Sequence, residues 1–266
     1  MDMEKDTIYT FLDRHPESDG NETGDNRNDH TLGITERGVQ QARAQTDFMM
    51  ADFFPKIGVT SMKDVQIWTS PYTRVQQGLN EKLKRIYEIN PDFIDLDQKI
   101  FVDDSLMERN FGKLPYIEHL INDTFKDDPL IQATLRADWE VSKEVYSGTP
   151  HSAKPEMGES HKEIGSYIRH FLDSLQRDID QGHRFNWVMT HGDVIKQIKA
   201  KMLHQHETSM DTPNNCDVIL ISGTPRNMSV QTVYDGKSMK SCFDSPIERA
   251  QPKRIGDLPF AQKLVL

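Results

Sequence analysis

The fold is decided by the stretch Phe11-Leu12-Asp13-Arg14-His15-Pro16-Glu17-Ser18-Asp19-Gly20-Asn21, which ends an apolar run that begins at Ile8. The run is apolar on both faces, which is typical of a strand buried between two layers of helices. An arginine binds anions through a planar fork, and a histidine acts near neutral pH as a nucleophile or as an acid and base. The stretch therefore predicts a buried strand that ends at a site for phosphoryl chemistry, although an exposed Arg-His pair in a loop would have the same sequence.

Strand and helix patterns alternate along the rest of the chain. Apolar runs predict further strands at residues 65–69, 99–102, 185–190, 216–221 and 229–234. Apolar residues at spacings of three and four predict helices after Thr35, Ser70-Pro71, Ser160-His161-Lys162-Glu163 and His191-Gly192. This alternation predicts an α/β fold, a three-layer sandwich with a mostly parallel central sheet flanked by helices.

The length of 266 residues is enough for one large domain with a substantial core. We expect an α/β domain over residues 1–235, with the less regular helical segment at 115–154 inserted as a cap over the sheet edge. Residues 236–266 are polar and contain prolines, so we expect a tail that lies on the surface or is partly disordered.

Composition excludes several classes of function. The formal charge of −10 argues against a nucleic-acid or anionic-membrane surface, because those partners require clustered Lys and Arg. The two cysteines form no disulfide framework or zinc pattern, and His204 and His206 lack a third ligand nearby in the sequence, so no metal site is expected. No apolar run is long enough to span a bilayer, and no signal peptide is recognisable, so the expected location is the cytoplasm.

Four separated segments carry side chains suited to phosphate chemistry. Arg14-His15 and His191-Gly192 each follow a predicted strand, Arg74 lies in the first turns of a helix after another strand, and Glu108 follows a fourth. Ligands of open α/β sheets gather beyond the carboxyl ends of the strands, so these residues could converge. Each of them taken alone fits a solvated or structural role equally well.

The same segments, taken in order, resemble the histidine phosphatase superfamily in its phosphoglycerate-mutase-like branch. The matching blocks are Arg14-His15-Pro16-Glu17-Ser18-Asp19-Gly20-Asn21, Leu32-Gly33-Ile34-Thr35 with Gly38 and Gln41-Ala42, Ser70-Pro71-Tyr72-Thr73-Arg74, Glu108-Arg109-Asn110-Phe111-Gly112, Gly158-Glu159-Ser160 and Thr190-His191-Gly192. The resemblance covers roughly residues 7 to 235, and the ordered set is specific where each block alone is not.

The resemblance implies a phosphatase that needs neither metal nor cofactor and acts on a small phosphorylated substrate or a phosphopeptide. His15, held as a neutral tautomer, would attack phosphorus and become phosphohistidine. Glu108 would protonate the departing oxygen and later deprotonate the attacking water. The phosphoryl group would be held by the positive charge of Arg14, Arg74 and His191, with neutral hydrogen bonds from Ser18 and Asn21.

The match departs from the family pattern in two places. Pro16 stands where the family usually has glycine, and it lacks a backbone N–H that could donate to phosphate, so a weak or silent phospho-ligand binding or scaffolding member is one alternative. A mutase is another, but Phe111 and the lack of paired arginines after Glu108 favour a phosphatase. The sequence specifies neither the substrate nor the oligomeric state.

Overall fold

The computed structural model describes residues 7–23, 29–94, 97–109, 161–203, 210–224, 227–244 and 247–249. The strands in this part of the chain are β1 (Ile8–Arg14), β2 (Val65–Thr69), β3 (Ile100–Val102), β4 (Phe185–Thr190), β5 (Val218–Thr224), β6 (Asn227–Asp235), β7 (Lys240–Ser241) and β8 (Glu248–Arg249). The α-helices are α1 (Asp19–Thr23), α2 (Glu36–Phe48), α3 (Phe54–Ile57), α4 (Thr73–Ile89), α5 (His161–Asp180) and α6 (Gly192–Met202). The sequence patterns predicted the longer of these elements to within a few residues.

All of these strands join one mixed sheet in the order β3-β2-β4-β1-β5-β6-β7, with β8 pairing to β6. The neighbours β3, β2, β4 and β1 are parallel. β5 is antiparallel to β1, and the later strands continue the antiparallel edge. The predicted mostly parallel sheet is therefore confirmed at its centre, where β1 lies between β4 and β5.

Helices cover both faces of this sheet. On one face, α5 and α6 pack against Leu12 of β1 and Val188 of β4. On the other face, α2, α3 and α4 pack against Phe11 and Trp187 of the same two strands. Successive side chains of a strand point to opposite faces, so each central strand contributes to both cores. The predicted three-layer α/β architecture is confirmed.

The helix predicted after Thr35 begins there for the expected reason. The Thr35 hydroxyl accepts a hydrogen bond from the Gly38 amide at 3.0 Å, which satisfies one of the amides left free at a helix start. The helix then widens into a π turn at Met49–Phe53 and continues as α3. It ends at Gly58, whose φ of 77° lies in the left-handed region that glycine adopts easily at the end of a helix.

Two segments differ from the expectations drawn from the sequence. Residues 19–30 are rich in Gly, Asn and Asp, a composition that predicts a loop, but the stretch begins with the short helix α1. β7 and β8 pair with β6, so the sheet continues past residue 235, where the tail was expected to begin. Strands of two residues have no periodicity that a sequence pattern could reveal. The expected cap at residues 115–154 and the chain from residue 250 onward lie outside the described residues.

None of the helices in the described part is long and apolar enough to cross a membrane.

Candidate active site

The carboxyl ends of β1, β4 and β2 meet at one edge of the sheet. The last residues of β1 and β4 are paired in the strand register, and β2 ends one position earlier. Beyond these ends, the His15 amide donates to the Thr190 carbonyl at 3.0 Å, and the Ser70 amide donates to the Met189 carbonyl at 3.1 Å. The imidazole rings of His15 and His191 lie 5.2 Å apart between centroids. The predicted convergence of strand ends is present.

His15 is buried, and its ring has a fixed orientation. Its Nδ1 lies 2.7 Å from the Pro16 carbonyl oxygen, which can only accept, so Nδ1 carries the proton. Burial, followed by the nearby positive charges of Arg14 and Arg74, lowers the pKa of His15 well below its usual value. The ring is therefore neutral at physiological pH, and its Nε2 lone pair is available for nucleophilic attack.

Asp13, the residue before Arg14, is the centre of a buried network of charged and polar side chains. The Asp13 carboxylate accepts hydrogen bonds from Lys82 at 2.6 Å, Gln45 at 2.9 Å and Trp187 at 2.9 Å. Asp13 and Lys82 are both fully buried, so each charge requires the other. These contacts fix the end of β1 from the face opposite α5 and α6, and the charge of Lys82 further lowers the pKa of His15.

Two arginines flank the histidines. Arg14 donates from its guanidinium to the Pro213 carbonyl. Arg74 donates to the Asp29 carbonyl at 3.0 Å and lies over the ring of Tyr72, 4.8 Å from its centroid. Both guanidiniums line the same pocket. The side chains are held by neighbours before any ligand is bound, which favours an anion site with little reorganisation.

His191 is fully buried beside Arg74 and Glu108. Its Nδ1 lies 3.4 Å from an Arg74 guanidinium nitrogen and 3.7 Å from a Glu108 carboxyl oxygen, and its Nε2 lies 2.9 Å from the Ser70 hydroxyl. Burial first, then His15 and the two arginines, lower its pKa well below the usual value. The sequence-based expectation of a positively charged His191 thus differs from the structure, where burial and the positive charges of Arg74 and Arg14 favour the neutral ring.

Glu108 is the group of this site that titrates near neutral pH. Burial raises its pKa to about 7, and the negative charge of Asp193 adds to the effect, against the lowering by Arg74 and Arg14. The Arg109 amide donates to its carboxyl at 3.2 Å. A carboxyl with this pKa can both give and take a proton at physiological pH.

Ser18 lies in the segment after β1, Asn21 lies in α1, and both line the pocket. The Asn21 carboxamide oxygen accepts from the Ser18 amide at 3.2 Å and from the Ser18 hydroxyl at 2.9 Å. The Ser18 hydroxyl is thus engaged with Asn21. Of the two side chains, Asn21 is the better placed to donate to a ligand.

These side chains surround a pocket of about 370 Å³. Its wall, within the described residues, is formed by Arg14, His15, Ser18, Gly20, Asn21, Arg74, Glu108, Arg109, Gly192, Asp193, Lys196 and Thr212. Six of the seven predicted site residues belong to it, and His191 lies behind the wall in contact with Arg74 and Glu108. The first turn of α6 also faces the pocket and favours an anion there.

Sequence reasoning missed three charged wall residues. Arg109 and Asp193 form a buried ion pair at 3.6 Å next to Glu108. Lys196 lies on the same helix as Asp193, and its side chain makes no ion pair or hydrogen bond with any described residue. Its position in the second turn after His191-Gly192 was the available signal, but a lysine there is also typical of the solvated face of a helix.

Pro16 takes part in the site through its backbone carbonyl. Its carbonyl orients His15, and a proline has a carbonyl even though it lacks the amide. Its ring is buried against Gly78 of α4, which has no side chain to obstruct it. The departure from the expected glycine is therefore accommodated by the packing.

This fold is that of an α/β protein, and it brings the side chains of two histidines, two arginines and a glutamate together at one end of the sheet. The chain belongs to the histidine phosphatase superfamily (branch 1), whose family model matches residues 10–236. No curated protein matches the chain.

Solved structures with the same fold are known at low sequence identity. A phosphoglycerate mutase from Bacillus anthracis is 16% identical with a TM-score of 0.59, and the match covers 89% of this chain and 98% of that one. An alpha-ribazole phosphatase from Shigella flexneri is 16% identical with a TM-score of 0.56, covering 80% and 90%. A mycobacterial glucosyl-3-phosphoglycerate phosphatase in complex with VO3 is 15% identical with a TM-score of 0.56, covering 85% and 96%. At these identities the likeness supports the fold.

Proposed function

We propose that the chain is a metal-independent phosphomonoesterase that forms a phosphohistidine on His15. One observation carries the proposal: a buried, neutral imidazole is oriented through Nδ1 by a carbonyl, and lies in a pocket wall with two preset guanidiniums. Phosphoryl transfer depends mainly on positioning and on neutralising charge, and these groups supply both.

In the first step, His15 Nε2 forms a bond to phosphorus while the bond from phosphorus to the ester oxygen breaks. Arg14 and Arg74 offset the charge on the transferring oxygens, and Asn21 adds a hydrogen bond. Glu108, protonated below about pH 7, gives its proton to the departing oxygen. The products are phosphohistidine and a free alcohol.

In the second step, water attacks the phosphohistidine. Glu108, now ionised, takes a proton from that water, the bond from phosphorus to Nε2 breaks, and inorganic phosphate leaves. His191 supports both steps by holding Arg74 and Glu108 from behind, at 3.4 and 3.7 Å. A bound phosphate dianion would counteract the lowering of the His191 pKa by burial and by the arginines.

The substrate class follows from size and charge. A pocket of about 370 Å³ suits the phosphate end of a small molecule or of a phosphopeptide. Its cations are Arg14, Arg74, Arg109 and Lys196, and its carboxyl groups are Glu108 and Asp193. With Asp193 paired to Arg109 and Glu108 protonated, the remaining charge is positive, as a phosphate dianion requires. Two of the structural relatives carry names of phosphatases of small phosphorylated compounds.

A mutase is the second candidate, because a phosphoglycerate mutase shares the fold at a comparable TM-score. A mutase must hold a second phosphate or acid group and return the phosphoryl group to the sugar acid. The residues that follow Arg109, where such groups were sought in the sequence, lie outside the described part of the chain. An experiment can distinguish phosphatase activity from mutase activity.

The test is hydrolysis of p-nitrophenyl phosphate in the presence of EDTA, with trapping of acid-labile phosphate on the protein. We expect turnover and labelling that His15→Ala abolishes and that His170→Ala, an exposed histidine on α5, leaves intact. Turnover that survives His15→Ala, or that EDTA removes, contradicts the proposal. Vanadate binding without turnover favours a silent binding module, and phosphoryl exchange between sugar-acid positions favours a mutase.

A further inference from the structure

The segment before β5 runs along the Arg14-His15 backbone. The Cys216 amide donates to the Arg14 carbonyl at 3.1 Å, and the Arg14 amide donates to the Asp217 carbonyl at 3.1 Å. The Pro213 carbonyl accepts from the Arg14 guanidinium. Residues 213–217 are therefore attached to the nucleophile segment through both backbone and side chain.

Within this segment, the Asn215 side chain connects two parts of the site. Its amide nitrogen lies 3.1 Å from the His15 carbonyl oxygen and 3.0 Å from the Asn21 carboxamide oxygen. Both partners accept, so one NH₂ group with two protons can donate to each of them. Asn215 thus links the backbone of His15 to the side chain of Asn21.

The orientation of the Asn21 carboxamide follows from the groups that donate hydrogen bonds to it. The Ser18 amide can only donate, so the atom of Asn21 that faces it at 3.2 Å must be the oxygen. The same oxygen faces the NH₂ group of Asn215. With its oxygen held in this way, Asn21 has its own NH₂ group left to donate to a ligand in the pocket whose wall it lines.

We infer that Asn215 is a positioning residue, which keeps the NH₂ group of Asn21 directed at the phosphoryl group. The inference rests on the proposed function for the identity of the ligand. Without the Asn215 donor, the Asn21 carboxamide loses one of the bonds that fix it and can rotate to present its oxygen, which repels a phosphate oxygen.

A double-mutant cycle tests this coupling. We expect Asn215→Ala and Asn21→Ala each to lower kcat/KM for p-nitrophenyl phosphate on the order of tenfold, the usual effect of losing a hydrogen bond to a charged group. The double variant should match Asn21→Ala alone, because Asn215 acts through Asn21. A full additional loss in the double variant, or an unchanged Asn215→Ala, overturns the inference.

The isosteric variant Asn215→Asp distinguishes the loss of the hydrogen-bond donor from a change in the shape of the side chain. Its ionised carboxylate fills the same space but cannot donate, so kcat/KM should fall at least as far as in Asn215→Ala. Below a pH of about 4, the ordinary carboxyl pKa, the acid regains an O–H donor. The ratio of Asn215→Asp to wild type should therefore rise as the pH falls from 7 towards about 4, whereas a purely structural defect gives a flat ratio and contradicts the inference.

Asn214→Ala is the matched control, because Asn214 is adjacent and exposed, and its backbone rather than its side chain bonds to Asp217. It should keep wild-type kcat/KM. The cycle is repeated on the dissociation constant of orthovanadate by calorimetry. If wild type shows no turnover, the proposed function fails, while non-additive vanadate binding still supports the role of Asn215 and additive binding still overturns it.

Discussion

At the scale of single residues, burial shifts the pKa values of the ionisable groups of the site. Burial lowers the pKa of His15 and of His191 and raises the pKa of Glu108 to about 7. Each shift favours the neutral form, as expected for a dry pocket. His15 thus stays nucleophilic across the physiological range, and Glu108 is the group whose protonation changes there.

The first prediction concerns pH. Because Glu108 is protonated below about pH 7, its general-acid form is present below that pH and is lost as the pH rises through it. We expect kcat/KM to fall above about pH 7, since this ratio reports ionisations of the free enzyme. Stopped assays with p-nitrophenyl phosphate between pH 5 and pH 9 measure the profile. Glu108→Gln should be slow and should lack this alkaline fall; a wild-type profile with no fall near pH 7 contradicts the assignment.

The second prediction concerns the neighbour of Glu108. Asp193 raises the pKa of Glu108 and is paired with Arg109 at 3.6 Å. Asp193→Asn removes the negative charge and leaves the guanidinium uncompensated, and both changes favour ionised Glu108. The alkaline limb should move to lower pH on the order of one unit, as for other close charge neighbours. Asp173→Asn on α5 is the control for charge loss; a shift to higher pH would exclude this role for Asp193.

The third prediction concerns Lys196, the wall cation without a partner among the described residues. Lys196→Met removes one positive charge from a pocket that takes a dianion. We expect KM for p-nitrophenyl phosphate to rise about fivefold, equivalent to about 1 kcal/mol. Steady-state kinetics at low salt measure the effect. Lys237→Met, which removes an exposed charge elsewhere, should leave KM unchanged; an equal rise in both variants would mean that only net charge matters.

At the scale of elements, α2 and α4 pack closely against the loop after β1. A side chain at Gly38 of α2 would collide with the backbone of Glu17, and one at Gly78 of α4 would collide with the Pro16 ring and with Met189. The loop is thus packed between two helix surfaces that carry glycine at the contact. This packing explains how Pro16 is tolerated beside the nucleophile.

The fourth prediction is that Gly78→Ala impairs both stability and activity. The added methyl group meets the rigid Pro16 ring, and such overpacking costs about 1–3 kcal/mol, offset by about 1 kcal/mol from the better helix propensity of alanine. Displacing Pro16 moves the carbonyl that orients His15, so kcat should also fall. Thermal unfolding and kinetics measure the two effects. Pro16→Gly in the Gly78→Ala background should restore activity in part, and failure of this rescue would contradict the contact.

The sequence predicted the parts of the site that follow strand ends, because the strand pattern and the chemistry of the next residue are both local. His15 and His191 are examples. Lys196 and Asn215 could not be found in this way. The first occupies a polar position of an amphipathic helix and the second a turn, so only the tertiary arrangement brings Lys196 to the pocket wall and Asn215 into contact with His15 and Asn21. The environment that gives Glu108 a pKa of about 7 likewise depends on packing.

At the scale of the whole molecule, the C-terminal strands complete one core. Phe243 follows β7 and lies 5.7 Å from Phe48 and 6.1 Å from Phe53 between ring centroids. The ammonium of Lys56 lies 3.8 Å above its ring. The Phe243 carbonyl accepts from the Gln231 side chain at 2.8 Å. The beginning of the expected tail is therefore packed against helices near the start of the chain.

The fifth prediction follows from this packing. Phe243→Ala removes a half-buried ring, and a loss of about 1–2 kcal/mol is expected because fully buried rings cost about 3–5 kcal/mol. For a domain of this size, that corresponds to a fall in Tm of roughly 4 °C. Calorimetry measures it, and kcat/KM at 25 °C should stay near wild type because Phe243 is not part of the pocket wall. Ile247→Ala is the control, since Ile247 lies in the same segment but is 65% exposed. Equal and small changes in both variants would mean that residues 236–249 rest on the surface as a tail; a fall confined to Phe243→Ala would make them part of the folded domain.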